Sequence, residues 1–246
     1  MKTQLIKRFF NKFFWAQHPE ASLRYIPIIK EIKKAKLLNS RILEVGSGSL
    51  GILPYLNKSF DAVDIDFRGV QSDLVNKISA KATELPFRKN SYDVVICADV
   101  LEHIEKENRE IAVYEMLRVA KKLAVIVVPC GELAQKQDQD LQKRWNKTFK
   151  NQNLFLDEHV KHGLPKTNEI LIYVDRSLRK LDKTAKVESY PNLNLNVRKF
   201  LMNMYISKNK LKYYFYLKGL LLAVPILRYL NLGQTYRRVF VIEFAK

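Results

Sequence analysis

Apolar residues run along this chain in two rhythms, and their alternation lays out its elements. Short, partly β-branched apolar runs read as buried strands. They fall at 42–45, at Phe60 to Phe67 (FDAVDIDF), at the start of Ile78 to Phe87, in Ser91 to Ile104 (SYDVVICADVLEHI), where the strand runs into a loop, and at Leu123 to Pro129 (LAVIVVP). Between them the spacing becomes helical. Residues 20–38 turn Tyr25, Ile28, Ile29 and Ile32 to one side, a short helix covers Ile52, Leu53, Tyr55 and Leu56, and longer ones cover Arg109 to Ala120 and Asn168 to Leu181. Strands alternating with helices require parallel pairing and right-handed crossovers. Lys186 to Val197 and Tyr236 to Phe244 add two more strands. The expected fold is therefore α/β, a doubly wound, Rossmann-like sheet.

Two stretches break the rhythm. Residues 131–166 are polar and hold Trp145, Phe149, Phe155, His159 and His162, the composition of a lid over a strand end. Residues 198–235 read as a helical insertion between the last two strands. Their uncharged run, Gly219 to Leu227, is too short for a bilayer core of about 30 Å. At the other end, residues 2–17 place Ile6, Phe9, Phe10, Phe13 and Phe14 on one helical face among lysines and arginines. Residues 1–38 are thus read as a helical flank and 39–246 as the main domain.

Charge sharpens this division. The chain of 246 residues has a formal net charge of +18. Residues 1–40 carry nine Lys/Arg against two acids, and residues 196–246 carry ten against one, so the middle is nearly neutral. Basic, aromatic-rich flanks suit an anionic membrane surface or an anionic, lipid-linked substrate, with nucleic acid the weaker alternative. Ordinary solvated lysine explains either flank alone equally well. The two cysteines, Cys97 and Cys130, lie in apolar runs and read as reduced, buried thiols. No secretory h-region or cleavage site is visible, so a cytoplasmic location is expected, peripheral to the membrane if the flanks bind it.

The candidate chemistry starts at RILEVGSGSLGIL, Arg41 to Leu53. Gly46, Gly48 and Gly51, with Ser47 among them, have GxGxxG spacing between a strand and a helix. Such a turn lets the backbone approach a ligand. Dinucleotide enzymes use this spacing too, but Glu44 stands two residues before the first glycine. An acid there is ill suited to a pyrophosphate and well suited to an ammonium group. Asp64 follows Gly46 by 18 residues, the place where doubly wound folds put an acid on ribose hydroxyls.

These residues resemble motif I of the class I S-adenosylmethionine-dependent methyltransferases, and LEH (Leu101 to His103) and LPF (Leu85 to Phe87) fall in step with the same family, of the methyltransferase type 11 kind. The resemblance covers roughly residues 40–130. It implies a seven-stranded sheet with an antiparallel last strand, and S-adenosylmethionine as cofactor. The implied cofactor contacts are Glu44, Gly46, Ser47, Gly48 and Gly51, then Asp64 and Ile65, Ala82 and Thr83 at the adenine, and Cys97 and Ala98 at the methionine part. Lys81 stands where the family often has Asp, which weakens the adenine contact. Asp99, His103 and His159 are the catalytic candidates, with His103 the first choice as general base. A purely capping role for His103 remains open. His159 and His162 are three apart, with no Cys or further His at ligand spacing, so no metal site is expected.

No Asn/Asp/Ser-Pro-Pro-aromatic tetrad follows the fourth strand, which disfavours amino-directed base methylation. Pro129–Cys130 lacks the surroundings of a cytosine-C5 nucleophile. A small-molecule, glycan or lipid-linked acceptor remains, with O-methylation favoured. The alternative is a membrane-associated binding protein that keeps the fold without turnover.

Overall fold

The computed structural model describes residues 14–245. Most of the amphipathic stretch 2–17 therefore lies outside the described residues. Seven strands form one sheet in the order β3-β2-β1-β4-β5-β7-β6. They are β1 (Ile42–Val45), β2 (Phe60–Asp64), β3 (Val75–Ser79), β4 (Tyr92–Ala98), β5 (Ala120–Pro129), β6 (Ala185–Asn194) and β7 (Thr235–Phe244). The first five pair in parallel, while β7 runs antiparallel between β5 and β6. This is the expected doubly wound sheet with an antiparallel last strand.

Central strands are buried on both faces, which is why β1, β4 and β5 read as near-continuous apolar runs. Helices α1 (Pro19–Lys34) and α2 (Leu53–Leu56) cover one face. There Ile28, Ile32 and Leu53 pack with Ile42, Val94, Ile96 and Val125. Helices α3 (Arg109–Val119) and α6 (Thr167–Leu181) cover the other, with Val113, Met116, Ile170 and Val174 against Val95, Ile126 and Phe240. A third apolar cluster joins helices α4 (Glu132–Phe149), α5 (Leu154–His162), α7 (Leu195–Tyr205) and α9 (Leu220–Leu227) to Leu23 and Tyr236. The short α8 (Lys210–Tyr214) and one π-helical turn, Phe215–Gly219, lead into α9.

Two strand boundaries differ from the sequence reading. Strand β3 begins at Val75 rather than Ile78. It is an edge strand whose Asn76 is exposed and whose Val75 alone is fully buried, so its period is barely visible. Strand β6 ends at Asn194, because the Asn194 side chain accepts from the Asn196 and Val197 N–H groups and starts α7. The lid-like stretch 131–166 folds as two helices, α4 and α5. Helix α1, assigned to a flank, is part of the domain: Ile28 and Ile32 are fully buried against the sheet.

Candidate active site

Parallel register brings the carboxyl ends of β1, β2 and β4 together: Val45 pairs with Val63 on one side and Cys97 on the other. In open α/β sheets that edge is where ligands bind. The glycine loop leaves β1 there. Gly46, Gly48 and Gly51 all have left-handed backbone, at φ of 77°, 59° and 50°. A Cβ on Gly46 would strike Val100, and one on Gly51 would lie 2.0 Å from Glu44 Oε2, but one on Gly48 would meet nothing within 4 Å. Gly48 therefore fronts open space at the centre of the loop.

Glu44 braces this loop from beneath. It is fully buried. Its Oε1 accepts from the Tyr25 hydroxyl at 2.8 Å and its Oε2 from the Ile52 N–H at 2.7 Å. Burial pushes its carboxyl up to about 7. Fully buried, with both oxygens bonded within the fold, Glu44 holds the loop in place from beneath. Asp64 is half-buried at the end of β2. Its Oδ2 accepts from the Gly48 N–H at 2.7 Å and its Oδ1 from the Asp66 N–H at 3.0 Å. The carboxylate thus fixes the middle of the loop and keeps lone pairs for a ligand hydroxyl. Ser47 is buried, its hydroxyl donating to the Gly48 carbonyl at 3.1 Å, whereas Ile65 is 75% exposed. Ala82 and Thr83 are half-buried in the turn after β3, beside exposed Lys81. Cys97 and Ala98 are buried at the end of β4.

The cysteines are free thiols. Burial raises both, Cys130 to about 12. A thiol held protonated is a poor nucleophile, which agrees with the structural reading of Pro129–Cys130.

Asp99 is engaged by two arginines. Its carboxylate is held by Arg237, with Nε at 2.7 and 2.9 Å, and by Arg24 at 3.2 Å. Arg237 also pairs with Glu20. The group ties α1, β7 and the end of β4 into one buried ion cluster, which spacing along the chain does not disclose because α1, Asp99 and Arg237 lie far apart in sequence. Asp99 itself has left-handed backbone, φ 55°, as the chain turns out of β4.

Beyond that turn the two candidate histidines meet. His103 ends a 3-10 turn, Leu101–His103, and His159 lies in α5. Their rings are 4.7 Å apart, with Nε2 to Nε2 at 3.4 Å. His103 Nδ1 is 2.7 Å from Glu158, and His159 Nδ1 is 2.8 Å from Asp138. Burial, then the neighbouring His159, holds His103 below its ordinary value despite Glu158. Asp138 also accepts from Tyr236 at 2.8 Å and from Arg198 at 2.5 Å. Burial opposes its ionisation, but Arg198, His159 and Tyr236 together keep its carboxyl below the ordinary range. Glu102, beside His103, is fully buried. Burial and then the Asp99 charge drive its carboxyl well up. Sequence singled out His103 in LEH but not Glu102, and nothing marked Glu158, Asp138 or Tyr236.

Residues 43–128 match the family model described as a methyltransferase domain. An uncharacterized protein of Methanocaldococcus jannaschii is 34% identical over 97 residues, covering 35% of this chain. The match spans only 40% of that protein's length. Among solved structures, an S-adenosylmethionine-dependent methyltransferase from Thermotoga maritima superposes with a TM-score of 0.55 at 15% identity, covering 99% of this chain and 96% of its own. A magnesium protoporphyrin IX methyltransferase from Synechocystis, with bound S-adenosylhomocysteine, gives 0.50 at 13% identity over 90% of this chain and 82% of its own. At these identities the likeness is one of fold.

Proposed function

We propose that this chain transfers a methyl group from S-adenosylmethionine to an oxygen of a small-molecule, glycan or lipid-linked acceptor, a reading supported by the match of residues 43–128 to the methyltransferase domain model and by the likeness of fold. The observation that carries the cofactor is the loop. Gly48 has left-handed backbone and fronts open space, with Asp64 bonded to its N–H and Glu44 bracing the turn from below. These residues fit a nucleoside whose ribose hydroxyls donate to Asp64 and which brings no phosphate. When bound, S-adenosylmethionine supplies an electrophilic methyl carbon on a sulfonium. The chain's part is to hold Asp64 and the loop rigid, to orient the acceptor and to exclude water. His103 and His159 meet just beyond the end of β4, beside the place proposed for the acceptor.

Calorimetric titration tests this reading. S-adenosylmethionine and its demethylated product should bind and NAD should not. Asp64→Ala should weaken binding by about 1.5–3 kcal/mol, the scale of hydrogen bonds to a charged group. Binding of NAD alone overturns the assignment.

A lipid-linked or membrane-proximal acceptor is favoured by the helical insertion. One side of 210–232 packs Tyr216, Leu220, Leu221 and Val224 inward. The other exposes Leu211 at 80%, Ile226 at 69%, Tyr229 at 70% and Leu232 at 87%, next to Lys210, Lys212 and Arg228. An open cleft of about 430 Å³ beside it is lined by Trp145, Phe149, Tyr205, Tyr213 and two lysines, Lys208 and Lys210. No helix among the described residues is long and apolar enough to cross a membrane. Apolar side chains flanked by cations suit the headgroup boundary instead. The chain should therefore sediment with anionic vesicles at low salt and lose that binding on Leu232→Glu with Ile226→Glu. If it stays in the supernatant, the surface serves another partner.

A further inference from the structure

The pairing of His103 with His159 leaves a gap in the hydrogen-bond account. Each ring has a carboxylate at Nδ1, Glu158 for one and Asp138 for the other. A carboxylate there keeps the proton on Nδ1 and turns the Nε2 lone pair outward. The two Nε2 atoms then face each other at 3.4 Å. In that tautomer neither Nε2 carries a proton. Glu102 stands against the same point, its Oε1 3.9 Å from His159 Nε2. It is fully buried, and neither of its oxygens has a hydrogen-bond partner among the described residues. A buried carboxyl without a partner is a rare and costly arrangement. Two imidazole nitrogens and a carboxyl therefore converge on one point, with no hydrogen bond joining the carboxyl to either ring.

We propose that Glu102, His103 and His159 bind a divalent transition-metal ion. Their ligand atoms all lie within 4.8 Å of one another. Two imidazole nitrogens on one tetrahedral ion, at about 2.0–2.1 Å each, stand about 3.4 Å apart, and that is the separation found. The two-histidine, one-carboxylate set suits zinc, cobalt, iron or manganese better than magnesium or calcium, which prefer oxygen. Glu158 and Asp138 are the supporting carboxylates that orient metal-bound imidazoles. Asp138 is itself held by Arg198 and Tyr236, so α4, α7 and β7 all serve the site. Ligand spacing along the chain could not show it, because Glu102–His103 and His159 come together only when α5 packs on the 3-10 turn after β4.

Three protein ligands leave a coordination position open, as in catalytic rather than structural sites. The site follows β4 by four residues, and Val100, between the two, packs on Gly46 of the cofactor loop. Resting on the methyl-transfer reading, the open position would take the acceptor's oxygen, which a metal ion makes more acidic.

The test uses the full chain, stripped with a chelator and titrated with Co²⁺ and Zn²⁺. One equivalent of Co²⁺ should bind with the visible absorption of a low-coordinate nitrogen–oxygen site, and Zn²⁺ should displace it. Both ions should raise the thermal midpoint. Glu102→Gln and His159→Gln should abolish the cobalt spectrum. Glu158→Gln, at an exposed position, should weaken binding 10–100-fold. If the buried variants do not fold, the partly exposed His103→Gln gives the same readout. Absence of a cobalt spectrum from the folded wild-type chain would falsify the proposal, as would a spectrum unchanged in Glu102→Gln and His103→Gln. In that case a proton shared by two imidazoles fills the gap. S-adenosylmethionine titrated into the stripped chain separates the two readings: binding there without metal binding sinks the metal site alone, and the reverse sinks methyl transfer alone.

Discussion

Replacing Arg237 by methionine should destabilise the folded chain by about 3–5 kcal/mol, the cost of breaking a buried ion cluster from one side. Arg237 is 2% exposed and is the shared partner of Glu20 and Asp99. Methionine fills much of the volume but leaves two carboxylates facing each other with only Arg24 between them. A typical domain has only about 5–15 kcal/mol in hand, so chemical denaturation should show a large drop in midpoint. Glu20→Gln in the same background should recover part of the loss by removing one stranded charge. The wild-type cluster also sets a direction for pH. Burial alone would raise the Glu20 carboxyl, but Arg237 and Arg24 hold it far below its ordinary 4.5. The stabilisation is therefore complete above about 4.5 and is lost as pH falls toward the depressed folded value. Stability should decline with acid in wild type and decline less steeply in Glu20→Gln. If Arg237→Met unfolds at the wild-type midpoint, the cluster is not what fastens α1 to the sheet.

That cluster marks the limit of what the sequence discloses. The strands β1, β4 and β5 are legible because both their faces are buried over most of their length, so they read as near-continuous apolar runs. The glycine loop and Asp64 are legible because left-handed turns and strand-end acids have fixed spacing. Helix α4 is not legible as a packed helix. Its buried stripe is Ala134, Asp138 and Leu141, and the central position is an acid rather than an apolar residue. Asp138 is buried because Arg198, Tyr236 and His159 surround it, and those partners come from three other elements. The same reason hides Glu102: in LEH it looks like any exposed turn acid, and only packing buries it. Asp99 is legible by its place just past β4, but its pairing with Arg24 and Arg237 is not, because those partners come from α1 and β7.

Two glycines of one loop should fail in opposite ways. Gly51→Ala places a Cβ 2.0 Å from Glu44 Oε2. The carboxyl must move, and it then loses the Ile52 N–H, the Tyr25 hydroxyl or both. An unsatisfied buried polar group costs about 1–3 kcal/mol, and left-handed backbone at an alanine adds about 1–2 kcal/mol. A loss of about 2–5 kcal/mol in folding stability follows. Gly48→Ala has the same left-handed penalty, φ 59°, but its Cβ meets no protein atom. Folding should then lose only about 1–2 kcal/mol. The new methyl instead stands in the space the loop encloses, so S-adenosylmethionine should bind at least tenfold more weakly to a chain that melts nearly as wild type does. Thermal melts and calorimetry on the two variants separate stability from binding. Full affinity in Gly48→Ala would place the ligand elsewhere than against this loop, and with it would go the strongest support for the cofactor.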